Sequence, residues 1–368
     1  MPHTLAGCGG AVKGGRGNSR HPLGAVPGVK HIGFLSFGHW QPSPQSATRT
    51  AGDALLQSID LAVAAEELGA DGAYFRVHHF ARQLASPFPL LAAIGARTSR
   101  IEIGTGVIDM RYENPLYMAE DAGAADLISG GRLQLGVSRG SPEQVIDGYR
   151  YFGYEAPEGK TMSDVAREQT EVFLKVIQGA RFAEPNPRPM FANPYPGPLP
   201  LEPQSPGLRD RIWWGAGSDA TAVWAAERGM HLMSSTLKED ESGEPLHVQQ
   251  RKQIEKYRAA WTEAGHEREA RVSVSRSIFP IVDDRDRAYF VGGGETSDQF
   301  GAIDGYRAVF GRSYSDEPDR LIAQLREDEA IAAADTLLLT VPTQLGVDYN
   351  AHVLESVLTH VAPELGGR

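Results

Sequence analysis

The sequence predicts a closed (β/α)8 barrel, a TIM barrel, carrying one long proline-rich loop insertion. Three observations predict it. Strand-like and helix-like stretches alternate from residue 31 onward, and repeated strand–helix units dictate a parallel sheet. About eight such units fit in the chain, which favours closure over an open sheet. No Gly-x-Gly-x-x-Gly joins a first strand to a helix, so the doubly wound dinucleotide fold lacks its signature, and Gly104-Thr105-Gly106 alone does not supply it.

The elements follow in order. Residues 31–37 (HIGFLSF) read as the first strand. Residues 53–68 place Leu55, Leu56, Ile59, Ala62 and Val63 at helical spacing, and Gly69 stops that helix. Residues 72–77 are an apolar strand ending at the pair His78-His79. A short helix at 90–98 precedes a strand at 100–108. Pro115 opens a helix that Gly130-Gly131 ends, and 133–138 is the fourth strand. Residues 165–178 form the next helix. Between 181 and 207 nine prolines rule out a helix or a central strand, and a loop of this length is expected to act as a lid or to shape the substrate pocket. Alternation resumes with strands at 211–215, 231–234, 271–282 and 336–339 and helices at 220–228, 248–264, 318–328 and 349–361. The first thirty residues are glycine-rich without an apolar core and read as a flexible tail, leaving 31–368 as one barrel domain.

Composition narrows the function. A net charge of −11 argues against a nucleic-acid or anionic-membrane surface as main partner. The single cysteine, Cys8, excludes an internal disulfide and any cysteine-rich metal site, and it suits a reducing, cytoplasmic setting. No apolar run approaches the roughly 18 residues needed to span a bilayer.

In a parallel barrel the residues just past the C-terminal ends of the strands converge on one mouth. Here those are His78 and His79, then Thr105, Gly106 and Val107, then Ser138, Arg139 and Gly140, then Ala216, Gly217 and Ser218 with Thr221 one turn on. The last group is built like an anion site. Gly217 permits close backbone approach, Ser218 and Thr221 offer hydroxyls, and a helix N-terminus points its N–H groups at the mouth. Ser218 can equally serve as an N-cap. Arg139, at the end of a buried strand, demands an anionic partner and tips the reading toward a phosphate. Period two puts Tyr74, Arg76 and His78 on one face of their strand, taken as the inward one, with Glu102, Asp109 or a ligand as partner for Arg76. His78 suits acid–base work near neutral pH, and two histidines without a metal-ligand spacing make no metal site. Trp213, Trp214 and Trp224 read as core.

Five stretches, AYFRVHHF, IEIGTGV, NPLYMAEDAGAADLISGGRLQLGVSRG, WWGAGSDATAVWAAERG and HVAPELG, resemble in order and spacing the bacterial-luciferase-like flavin monooxygenases. The resemblance runs from about Ile32 to Leu365. It implies a (β/α)8 barrel, usually a homodimer, that holds reduced FMN supplied by a separate flavin reductase and oxygenates a small organic substrate with O2 through a flavin hydroperoxide. By the matched motifs His78 falls on the catalytic base, and Gly106-Val107 falls on a position that often carries a non-proline cis peptide. Ser138 falls beside the flavin. Arg139, Ser218 and Thr221 fall on phosphate contacts, with Arg167 as a further one. The sequence has Val77 where the family motif often has Glu, and Gly217 where the phosphate loop has Glu. Relatives that use the deazaflavin F420 transfer hydride without O2, and a non-catalytic flavin-binding subunit is the reading from another class.

Overall fold

A computed structural model describes residues 29, 31–140, 144–239, 242–290, 296–303 and 306–366; residues 1–28 and 30 of the expected tail lie outside the described residues, while Val29, expected within that tail, is buried in the core. Eight parallel strands form the barrel: β1 (His31–Ser36), β2 (Gly72–Phe75), β3 (Glu102–Thr105), β4 (Leu133–Ser138), β5 (Ile212–Ala216), β6 (His231–Ser234), β7 (Val272–Pro280) and β8 (Thr336–Val341). Each pairs with its sequence neighbour, and the ring closes through β8 on β1. All these pairings are parallel, so every strand needs a crossover, and the helices supply it. These are α1 (Ala51–Leu68), α2 (Pro87–Arg97), α3 (Pro115–Ile128), α4 (Met162–Val176), α5 (Asp219–Glu227), α6 (Leu246–Glu263), α7 (Asp284–Phe290), α8 (Pro318–Arg326), α9 (Glu329–Ala333) and α10 (Gly346–His360).

Local chemistry explains the ends. Thr50 and Asp53 make a reciprocal capping box on α1, and Gly69 closes it in the left-handed conformation at φ 95°. Asn114 caps α3 ahead of Pro115. The strands divide the core in two. Side chains such as Phe34, Phe75, Ile103, Leu135 and Trp214 fill the space between sheet and helices. Leu35, Tyr74, Trp213, Met233 and Leu338 fill the barrel interior. Trp213 donates from Nε1 to Gln134 Oε1 at 2.7 Å, and Trp214 lies 4.6 Å from the Trp224 ring. The tryptophans are core, as expected.

The alternation locates the elements, and the differences are local. β2 ends at Phe75, two residues before the expected limit, because Arg76 and the residues after it turn into the mouth. The expected strand at 100–108 is broken after Thr105 and resumes only as Ile108–Asp109. The elements not expected from the sequence include α7, α9, the strand Ser313–Asp316 that pairs with the end of β7, and an antiparallel sheet of Leu237–Glu239, Gln299–Ile303 and Tyr306–Phe310.

The proline-rich stretch requires a correction. It joins α4 to β5, and a helix-to-strand connection in this topology lies at the N-terminal face, opposite the mouth. Arg181–Ala183 pairs with Leu199–Pro200 there, and the Ser205 hydroxyl donates to Asp126 Oδ2 at 2.6 Å. A Cβ on Gly123 of α3 would overlap the Pro203 carbonyl, so this segment is seated on α3. It contributes nothing to the cavity at the mouth among the described residues. The cover there comes from the antiparallel sheet, whose Leu237 and Ala308 border the cavity.

Candidate active site

A cavity of about 410 Å³ opens at the C-terminal face of the barrel. Its floor is the top of the barrel core, with Leu35, Met233 and Leu338. Ligand pockets commonly combine such an apolar floor with a few convergent polar groups. Of the residues expected at the site, Gly106, Val107, Ser138, Arg139, Gly217 and Thr221 line this cavity together. They come from three separate strand ends, as a barrel mouth requires.

The Gly106–Val107 peptide is cis. A Cβ on Gly106 would stand 2.9 Å from Leu35 Cδ1, so any larger residue there would push the Leu35 side chain aside. Val107 in turn presses on Gly215, where a Cβ would lie 3.2 Å from either of its methyl groups.

The α5 end is arranged differently from an ordinary cap. Ser218 occupies the N-cap position, yet its side chain makes no capping hydrogen bond. Its hydroxyl lies 3.2 Å from Thr221 Oγ1, and Thr221 donates to the Ser218 carbonyl. The alternative use of Ser218 as a cap is therefore not realised. A Cβ on Gly217 would meet only the Leu237 carbonyl, at an ordinary 3.5 Å. The protein itself does not require glycine there, so its effect is to leave room in the cavity. Arg139 faces this end, half-exposed, with its Nη2 3.5 Å from Glu239 Oε1. The Thr221 hydroxyl, the N-terminal N–H groups of α5, a guanidinium and cleared space fit the chemistry of a flavin phosphate, whereas the Ser218 hydroxyl is hydrogen-bonded to Thr221 Oγ1 and does not border the cavity.

Other expected residues lie elsewhere. Thr105 is wholly buried, and its hydroxyl donates to the Gly136 carbonyl and accepts from the Gly136 N–H. It clamps β3 to β4 and faces no ligand. Ala216 is buried, its carbonyl taken by the Ser235 N–H. Arg167 sits on α4 with its guanidinium 5.7 Å from the Trp224 ring and its Nε unpaired among the described residues. It does not line the cavity. Arg76 does, held 4.8 Å over the Phe37 ring. Its expected carboxylates are otherwise engaged. Glu102 is bound by Arg271 at 2.7 Å, and Asp109 is held by Arg111 at 2.6 Å.

His78 is buried, with its backbone N–H on the Leu84 carbonyl, and it is not itself on the cavity wall. Its neighbour His39 does not border this cavity either. Partial burial, then the charges of Arg76 and His78, hold the His39 imidazole below its usual pKa, which favours the neutral ring. His39 stacks on Phe37 at 5.7 Å. His79 stacks on Tyr112 at 4.2 Å and is a packing residue.

Several lining residues escaped the sequence reading. Ser234 ends β6 and Ser235 and Thr236 follow it, and the strand-end rule applied there would have found them. The Asp109–Arg111 pair carried no such signal. It depends on Gly140, whose backbone is left-handed at φ 111° and where any Cβ would overlap the Arg111 guanidinium. Glu239 comes from the covering sheet and was equally invisible.

The family profile described as luciferase-like monooxygenase matches residues 35–290. The chain belongs to that family. A Bacillus subtilis (strain 168) uncharacterized protein, YwcH, is 27% identical over 216 residues, covering 57% of this chain and 60% of its own length. The alkanal monooxygenase alpha chain of the Kryptophanaron alfredi symbiont is 23% identical over 206 residues, covering 55% of each chain. The matched stretch thus spans somewhat over half of these relatives. Among solved structures, monooxygenase RslO1 from Streptomyces bottropensis superposes with a TM-score of 0.66 at 21% identity, over 90% of this chain and 99% of that one. The oxygenating constituent of 3,6-diketocamphane monooxygenase from Pseudomonas putida, in complex with FMN, gives 0.64 at 18%, over 92% and 99%. A coenzyme F420-dependent tetrahydromethanopterin reductase from Methanopyrus kandleri gives 0.60 at 16%, over 92% and 99%. At these identities the superpositions establish the fold.

Proposed function

We propose that this chain is an oxidoreductase, a flavin-dependent monooxygenase that uses reduced FMN and O2 to oxygenate a small organic substrate. The observation that carries the reading is the α5 end of the cavity, where Arg139, Gly217 and Thr221 meet, with Ser218 beside them but outside the cavity lining. Arg139 and the α5 N–H groups bind the phosphate, with Thr221 as hydroxyl partner. Val107, Leu35 and Met233 would supply the apolar surface that holds the flavin ring. Bound reduced flavin supplies the activation of O2. The covering sheet excludes water from the mouth. His78, buried behind the cavity lining and close to His39, would relay rather than directly exchange the substrate's proton. Supply of reduced FMN by a separate reductase, a homodimeric state and a cytoplasmic location belong to the same proposal.

Spectral titration of the purified protein with FMN and with F420 tests it. FMN binding with Arg139→Ala weaker by about 10- to 150-fold is expected, the loss of a charge-assisted contact of about 1.5–3 kcal/mol. His78→Ala should keep flavin affinity and lose most turnover; unchanged turnover removes the proton role. Tight F420 binding without FMN binding would convert the reading to a hydride-transferring dehydrogenase, a chemistry that the F420-dependent neighbour shows this fold can host.

A further inference from the structure

A second, larger space of about 730 Å³ adjoins the flavin cavity above β1 and β2. His39 borders it, while Phe37, on which His39 stacks, borders the first cavity. The Phe37–His39 stack therefore joins the borders of the two spaces. The groove is firmly built. The Trp40 N–H donates to the Arg82 carbonyl at 3.2 Å, the His78 N–H to the Leu84 carbonyl at 2.9 Å, and the Thr343 hydroxyl to the His39 carbonyl at 3.0 Å.

Its lining is chemically selective. Trp40 and the exposed Phe80 offer aromatic surface. Phe80 is held at φ 55°, in the left-handed region that a bulky residue occupies only when its surroundings fix it there. Arg82 is the one Lys or Arg among the lining residues, and no Asp or Glu lies among them. Its guanidinium stands 5.2 Å from the Trp40 ring and has no carboxylate partner among the described residues. The buried Gln83 Oε1 accepts no hydrogen bond among the described residues. An aromatic face, an unspent cation and an unspent acceptor converge on one groove.

We propose that this groove binds the organic substrate, and that the substrate is a planar conjugated molecule bearing a carboxylate or comparably acidic oxygen. The conjugated part stacks on Trp40, the acidic oxygen pairs with Arg82, and a donor group on the molecule reaches Gln83. The proposal rests on the flavin reading above for its use as a substrate site.

The test is titration of the full chain with 2-naphthoate, followed by tryptophan fluorescence, with and without saturating FMN. The neutral 2-naphthylmethanol runs in parallel. Saturable naphthoate binding is expected both with and without FMN, at least tenfold tighter than the alcohol. Arg82→Ala should reduce naphthoate affinity about tenfold and leave the alcohol and FMN unaffected, and Arg82→Lys should restore most of the loss. Displacement of naphthoate by FMN, equal affinity for acid and alcohol, or an Arg82→Ala variant with unchanged naphthoate affinity would each overturn the proposal. FMN binding without naphthoate binding defeats the groove alone. Naphthoate binding without FMN binding defeats the flavin reading and, with it, the groove's use as a substrate site.

Discussion

Glu239 holds the guanidinium that the phosphate would need. The pair spans 3.5 Å between half-exposed side chains, so by itself it is worth at most about 1 kcal/mol. Its consequence for binding is larger, because the carboxylate both occupies Arg139 and repels an incoming phosphate. Glu239→Gln is expected to tighten FMN binding roughly three- to tenfold at low salt, with the gain shrinking at high salt as the charges are screened; flavin fluorescence quenching at two ionic strengths reads it. Glu113 presents a different balance. Burial, then the charges of Asp109 and Asp121, push its carboxyl up to about 7. The folded protein therefore keeps a proton that the unfolded chain releases near the ordinary carboxylate range. The stabilisation from the neutral acid is complete below that range and is lost as pH rises through about 7. Glu113→Gln should flatten this decline and leave the variant more stable at pH 8 by on the order of 1–3 kcal/mol, measured as urea midpoints at pH 5 and pH 8.

At the scale of elements, chain direction decides which loops matter. The proline-rich segment is a long irregular stretch among the described residues, yet it leaves α4 and enters β5, so it runs beneath the barrel. The antiparallel sheet arises instead from segments that leave β6 and β7 at their C-terminal ends, and so it stands over the mouth. Replacing residues 184–198 by a short glycine linker should lower thermal stability modestly and leave FMN affinity within about twofold. A large loss of affinity in calorimetry would put the segment back at the site. The same rule explains why Ser234, Ser235 and Thr236 line the cavity: they end or leave a barrel strand in the right direction.

For the whole molecule, closure of eight parallel strands brings residues as distant as Leu35, Val107, Arg139, Gly217 and Leu338 around one cavity. The acidic net charge coexists with guanidinium groups at that mouth, Arg76, Arg111 and Arg139. On the outside, α3 exposes Tyr117 and Ile128, eleven residues apart and so on one helical face, at 72% and 53%. A homodimer using this face predicts sedimentation at twice the chain mass and a shift to monomer for Ile128→Glu; a chain that sediments as a monomer without substitution would remove the dimer.

The sequence by itself determined the order of strands and helices, the closed parallel barrel and the strand-end residues Gly106, Val107, Ser138, Arg139, Gly217 and Thr221, because apolar periodicity and the directionality of a barrel are local or topological properties. It also carried the family, through motifs that lie in a fixed order. Only the tertiary structure decided that Thr105 is spent on the Gly136 backbone, that Glu239 reaches Arg139, and that Arg111 folds in over Gly140. It likewise decided that Phe37, on the border of one cavity, stacks on His39, on the border of the other. Those facts depend on where side chains from separate loops meet, and residue spacing along a chain does not encode a distance between loops that only closure of the barrel brings together.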